Sequence, residues 1–327
     1  MKQHLTHSYQ AIISLENLTA AWNEFLVGKT KKTDVQLFAR NLMDNILALH
    51  DELVNKAYQH GGYEGFFVND TKRRHIHKAN VRDRLLHHAI YRILYPVFDK
   101  KFIADSYSCR LGKGTYKAIA RFRSFGYKVS KNHMRTGWVL KCDVRKFFAS
   151  IDHVALLHIL SESIADNDTF NLLKNVIQSF SPGLPLGNLT SQLLANVYMD
   201  VFDQWMKHTL KVKYYIRYAD DFVVFSENKS YLIKILPEIK IFLGTILSLE
   251  LHPNKISLET LASGIDFLGW VHFSDHRILR KTTKHRLLKR IKQYPTPETF
   301  QSYLGLLKHG NSYKLRQDAE LQYWLWQ

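Results

Sequence analysis

The stretch Tyr214-Tyr-Ile-Arg-Tyr-Ala-Asp-Asp-Phe-Val-Val-Phe225 sets two adjacent carboxylates, Asp220 and Asp221, between two apolar, aromatic-rich runs. Those runs read as strands, Tyr214–Tyr218 and Phe222–Ser226, with the chain reversing between them. An isolated Asp pair is ordinary turn chemistry. These flanks are too apolar for an exposed hairpin, however, so the carboxylates belong at the rim of a buried sheet. Adjacent carboxylates repel there unless a cation neutralises them.

A third carboxylate follows the same logic. Trp138-Val-Leu-Lys-Cys-Asp-Val144 reads as a strand in which Asp143 stands near the end, and a carboxylate so placed needs compensation. If this strand lies beside the hairpin, Asp143, Asp220 and Asp221 converge. They would form an all-oxygen site suited to Mg²⁺, with Mn²⁺ as a substitute. Two ions about 3.5–4 Å apart would activate a primer 3′-hydroxyl and stabilise departing pyrophosphate in an in-line displacement.

The charge balance fits a polyanionic partner. Lys and Arg number 46 against 29 Asp and Glu, a formal net charge of +17. Residues 113–135 hold seven basic residues and no acidic one, and residues 275–327 hold eleven basic against four acidic. A solvated surface is the bland reading, but such surfaces usually mix both signs. No run approaches the roughly 18 apolar residues of a membrane span, and the N-terminus has no signal-like apolar core. A soluble, cytoplasmic protein without membrane contact is expected. Cys109 and Cys142 form no CxxC pair, so neither a disulfide framework nor a zinc site is indicated.

Residues 10–60 read as helical, with Gly61-Gly62 closing that region. A helix spans Val81–Tyr95, stopped by Pro96, and a long one spans Ser191–Leu210. The tail is basic and helical, interrupted by Pro295 and Pro297. A helical front, an α+β centre and a helical tail indicate a three-part α+β architecture.

Five stretches carry a resemblance. Tyr218-Ala-Asp-Asp221 resembles the catalytic hairpin of reverse transcriptases, and Leu140–His153 (LKCDVRKFFASIDH) resembles their first catalytic Asp motif. Gly183–Asp200 (GLPLGNLTSQLLANVYMD) is similar to the loop and helix that cradle nucleotide and template. His252–Glu259 (HPNKISLE) and Phe267–Trp270 (FLGW) resemble the next two palm motifs, the second being the primer grip. The resemblance implies a right-hand polymerase fold with helical, basic fingers, an antiparallel-sheet palm and a small helical thumb. Its expected divisions are 1–135 (N-terminal extension and fingers), 136–272 (palm, with part of the fingers) and 273–327 (thumb).

Carried over by residue, the resemblance implies metal binding at Asp143, Asp220 and Asp221, with a further metal contact at Val144. Lys255 resembles a lysine that assists departing pyrophosphate as an acid, although a surface lysine fits equally. Lys72, Arg73 and Arg74 resemble the segment that holds the triphosphate, whose phosphates suit guanidinium forks and an ammonium. Phe148 matches an aromatic gate whose ring would clash with a ribose 2′-hydroxyl. Phe147 beside it can serve as core, on the opposite face of an extended segment. Leu186, Gly187 and Gln192 belong to the nucleotide-binding loop, and Phe267, Leu268, Gly269 and Trp270 to the primer grip. Lys113, Lys117, Lys281, Lys284, Lys289, Arg290 and Lys292 would follow the template–primer backbone, adding affinity with little sequence information.

Leu15–Trp22 (LENLTAAW) resembles the N-terminal extension of the group II intron lineage. Arg110–Ala118 (RLGKGTYKA) and Leu184–Gln192 (LPLGNLTSQ) look like reverse transcriptases of diversity-generating retroelements. Intron enzymes more often have Gln at the position of Leu186 and Pro at that of Gln192. A Leu packs but forms no hydrogen bond, so a mispaired base loses less binding than it should. The resemblance implies error-prone copying, chiefly opposite template adenines, in a bacterial or phage setting. Implied partners are template RNA, cDNA or primer, dNTPs and a small accessory variability protein. About 55 residues follow the primer grip, in which a small helical thumb and no nuclease domain are expected. Other bacterial reverse transcriptases (retron, defence-associated or reduced group II types) remain alternatives, as does a catalytically silent RNA-binding scaffold.

Overall fold

The computed structural model describes residues 7–69 and 73–326. In chain order, α1 (Ser8–Ile13), α2 (Leu15–Leu26), α3 (Thr33–Arg40) and α4 (Leu42–Val54) precede a hairpin of β1 (Tyr63–Asn69) and β2 (Arg73–Ala79). Then come α5 (Val81–Asp99), α6 (Thr115–Val129), β3 (Trp138–Asp143), α7 (Phe147–Ser150), α8 (His153–Ser161), α9 (Asn167–Gln178) and α10 (Leu189–Gln204). The last stretch holds β4 (Tyr215–Tyr218), β5 (Asp221–Ser226), α11 (Lys229–Leu247), β6 (Ser257–Thr260), β7 (Ile265–Phe267), β8 (Trp270–His272) and β9 (Arg277–Leu279). Helices α12 (Lys281–Gln293), α13 (Pro297–Leu307) and α14 (Tyr313–Leu325) close it.

Two compact units result. One comprises residues up to Ala104 with Val144–Lys211 and Lys240–Glu250; the other comprises Asp105–Asp143, Val212–Ile239 and the chain from Leu251. In the first, Ser14 caps α2 by accepting from Asn17 N–H, and Leu18, Ala21, Trp22 and Phe25 recur at helical spacing as its buried stripe. Asn80 caps α5 in the same way by accepting from Asp83 N–H. That helix does not stop at Pro96, as the sequence suggests, but runs one further turn to Asp99. A proline so near the C-terminus removes a single backbone hydrogen bond, whereas continuing the turn buries Phe98. Helical structure also ends earlier than residue 60, at Val54, and the β1–β2 hairpin follows Gly61-Gly62.

The second unit holds a four-stranded antiparallel sheet in the order β4-β5-β3-β6. A buried aromatic cluster supports it: Phe122 and Phe125 of α6 pack with Val139, Val223, Phe225 and Phe267. A smaller sheet, β7-β8-β9, leads into the C-terminal helices, whose buried residues Leu287, Ile291, Leu307, Ala319 and Tyr323 gather with Trp270. Gly310 touches that ring so closely that a Cβ would lie 2.0 Å from it. Among the described residues, no helix is long and apolar enough to cross a membrane.

Candidate active site

Strand pairing brings the distant carboxylates together. β3 pairs antiparallel with β5 in a register that sets Asp143 directly opposite Asp221, and Ala219-Asp220 form the tight turn between β4 and β5. Ala219 takes the left-handed backbone (φ 55°) that closes this turn. Asp143 is only 6 % exposed. Burial pushes the Asp221 carboxyl up to about 7, and the neighbouring Asp220 and Asp143 charges add to the rise while Lys141 opposes it.

Lys255 meets this group from the short turn Pro253–Lys255. Its Nζ lies 2.5 Å from Asp143 Oδ1, and the turn is anchored where His252 N–H donates to the Asp143 carbonyl at 2.8 Å. Lys141, on the same strand as Asp143, donates through Nζ to the Asp266 carbonyl at 2.6 Å. Asp143, Asp221 and Lys255 are therefore brought together within one unit, with Asp220 in the adjoining turn. Among the described residues, no group of three or more His, Cys, Asp or Glu is placed to hold a metal ion. The donor set still suits Mg²⁺, which keeps several waters and takes only one or two protein carboxylates plus substrate oxygens. A cation would also relieve the repulsion that Asp220 and Asp143 add to burial in holding the Asp221 carboxyl high. Val144, which follows Asp143, is buried.

The sequence reading overlooked Arg217. This residue is fully enclosed in β4, and its guanidinium donates to the Ala219 carbonyl at 3.2 Å and to Ser106 Oγ at 3.1 Å. Its backbone accepts from Tyr107 N–H and donates to the Asp105 carbonyl, both at 3.0 Å. The carboxylate-bearing turn is thus tied down by a buried cation. An arginine inside an otherwise apolar strand was the available signal, since a buried charge requires partners.

The nucleotide-loop residues lie in the other unit. Leu186 is half-buried, Gly187 exposed and Gln192 half-buried. The Leu186 carbonyl accepts from His77 N–H at 2.9 Å, joining the loop to β2. A Cβ on Gly187 (φ 123°) would fall 2.9 Å from Ile76 and 3.3 Å from the His77 carbonyl. Phe147 and Phe148 do not sit in an extended segment, as expected, but in the single helical turn of α7. Consecutive helical side chains diverge by about 100°, so Phe147 is still buried while Phe148 stays partly exposed. The Phe148 carbonyl accepts from Leu184 N–H at 2.8 Å, and a Cβ at Gly183 (φ 68°) would fall 2.1 Å from that carbonyl.

Other expected groupings separate. Lys72 lies outside the described residues. Arg73 and Arg74 are consecutive in β2 and project from opposite faces of the hairpin, with Arg73 over the Phe67 ring at 3.9 Å. Of the primer-grip residues, Phe267 and Trp270 are core, while Leu268 and Gly269 (φ 51° and 86°) form the turn. Lys113 lies over the Tyr107 ring at 5.2 Å, and Lys117 donates to the Gly112 carbonyl. On α12, Lys281, Lys289 and Lys292 share an exposed stripe. Lys284 faces Asp318 at 3.9 Å, and Arg290 lies on the opposite side of the helix from Lys281, against Tyr294.

The chain is similar to known proteins. Residues 40–272 match the family described as reverse transcriptase (RNA-dependent DNA polymerase). Protein YkfC of Escherichia coli K12 is 24% identical over 292 residues, covering 76% of this chain and 74% of its own. Group II intron-encoded protein LtrA of Lactococcus lactis is 21% identical over 291 residues, covering 67% of this chain and 47% of its own. Two solved telomerases share the fold at TM-score 0.51. That of Candida albicans, in complex with a fragment of telomeric RNA, is 10% identical and covers 76% of this chain, and that of Candida tropicalis is 13% identical and covers 67%. The chain spans about half the length of those telomerases and of LtrA. With its mixed helices and antiparallel sheets, it has a right-hand polymerase fold, and it belongs to the reverse transcriptase (RNA-dependent DNA polymerase) family.

Proposed function

We propose that this chain copies an RNA template into DNA at Asp143, Asp220 and Asp221, and that it does so as the error-prone enzyme of a diversity-generating retroelement. The register of Asp143 against Asp221, with Asp220 in the adjoining turn, carries the catalytic assignment. Asp143, Asp220, Asp221 and Val144 would hold two Mg²⁺ ions, which when bound supply charge stabilisation for a phosphoryl transfer. The chain's own groups do the rest. Lys255 holds Asp143 and would give a proton to departing pyrophosphate, while Arg217 fixes the hairpin. Phe148 screens against a 2′-hydroxyl, and Arg73 or Arg74 meets the triphosphate. The cationic stripe of α12 follows the template–primer backbone.

Three divisions serve these tasks: fingers within 1–135, palm within 136–272 and thumb within 273–327. Leu186 supports the retroelement reading, because a side chain that only packs withholds a hydrogen bond that would reject a mispaired base. A small accessory variability protein would then assist priming. The similarity to LtrA favours a second reading, a group II-like reverse transcriptase of ordinary fidelity. Sequencing cDNA made on an RNA template containing all four bases separates the two. Substitutions concentrated opposite template adenines support the first, and errors spread evenly or nearly absent reject it.

A further inference from the structure

Away from the carboxylate group, the second unit holds a half-open cavity of about 300 Å³. It lies between α6, the turn 273–276 and the segment 308–311 that joins α13 to α14. Three cations border it: Arg123 from α6, Arg277 from β9 and Lys308. None of the three makes an ion pair among the described residues. The one acid on the rim, Asp275, is engaged by His276 at 2.8 Å. Positive charge here is uncompensated, and the protein holds it so: burial keeps the Arg277 guanidinium below its usual range, and Arg123 lowers it further. Repelling cations held around a cavity are a cost to the fold unless an anion enters.

The remaining walls say what the anion is attached to. Phe122 and Leu261 line the cavity, and the Phe273 ring, half-exposed, stacks on His276 at 4.7 Å and 10°. A flat apolar platform beside guanidinium groups suits a base together with its phosphate. The volume sits at the small end of the roughly 300–1,000 Å³ typical of ligand pockets and admits one such unit, not a duplex. The rim is also built rigidly. Asn311 N–H donates to the Arg277 carbonyl at 2.8 Å, Arg277 Nε donates to the His309 carbonyl, and the His309 ring stacks on Tyr116.

We propose that this cavity is a second nucleotide site, in which Arg123, Arg277 and Lys308 receive the phosphate of one nucleotide unit, free or within a single strand, and Phe273 receives its base. Binding is read directly, so the outcome does not depend on polymerase activity. Arg123 and Lys308 are exposed, and Arg123→Ala/Lys308→Ala leaves the packed Arg277 in place, which a thermal melt of the full chain verifies. Two probes distinguish the sources: AMP (with adenosine as control), and a short single-stranded RNA titrated from about 0.05 to 0.3 M salt. The double variant is expected to lose AMP binding, or to bind the strand about five-fold more weakly with a salt slope reduced by about 1–2. Loss in the AMP arm alone identifies a free nucleotide, and loss in the strand arm alone a nucleic-acid strand. Unchanged binding in both arms, or weakened strand binding with an unchanged salt slope, overturns the proposal.

Discussion

The guanidinium of Arg217, fully enclosed in its strand, donates to the carbonyl of Ala219 at 3.2 Å and so holds the turn that carries Asp220. Replacing it with Met removes that bond and the bond to Ser106, leaving buried acceptors unmet. Arg217→Met is expected to lower stability by about 2–4 kcal/mol, measured by urea unfolding, and to reduce DNA synthesis more than the lost stability alone explains. A variant of unchanged stability would mean that the turn is held by its own backbone.

Lys255 offers a sharper kinetic prediction. With Nζ 2.5 Å from Asp143 Oδ1, it balances that carboxylate, and it is the proton donor in the proposed reaction. Lys255→Ala is expected to slow nucleotide addition by about 10²–10⁴-fold, with a much smaller change in KM for dNTP. A rise in KM at constant kcat would reassign the residue to substrate binding.

Much of this was legible in the sequence because hydrophobic alternation and charge point the same way. Strand β3 ends at Asp143, β5 begins at Asp221, and Ala219-Asp220 form the turn joining β4 to β5, so largely apolar runs with carboxylates at one end mark which edges meet. The β1–β2 hairpin was not legible: Phe66, Phe67 and Val68 are exposed, so no buried face imposes a clean two-residue period. Pro96 misled for the opposite reason, since burial of Phe98 outweighs a local helix-stop signal. Arg217 carried a signal, a charge inside an apolar strand, but its distant partner Ser106, like the approach of Arg123 to Arg277, is set by tertiary packing and leaves no mark in local spacing.

Fidelity tests the loop. Leu186→Gln restores a hydrogen-bonding group before Gly187 and is expected to lower misincorporation on an RNA template several-fold, read by sequencing the products. An identical error spectrum would show that packing at this position does not govern fidelity.

Acid should weaken the second unit through His272. Burial holds its imidazole down at about 4, with Arg277 adding to the effect and the hydrogen bond to the Phe267 carbonyl opposing it. The folded form therefore stays neutral where the unfolded chain takes up a proton. Its contribution is complete above the unfolded value near 6.5 and is lost as pH falls from there towards 4, by on the order of 3 kcal/mol. Urea unfolding between those limits should show the decline, and His272→Phe should make it shallower, the buried His87 and His88 supplying the remainder; an equally steep decline in the variant would assign it elsewhere.

The most direct measurement is primer extension by the purified chain on poly(rA)/oligo(dT) with dTTP and Mg²⁺, run beside Asp143→Asn and Asp220→Asn. Both substitutions keep side-chain size and remove only the charge that would gather the cations. Extension by the unaltered protein, abolished in each folded variant, is the predicted result. Undiminished extension in either variant, or none by the unaltered protein, would contradict catalysis at these carboxylates.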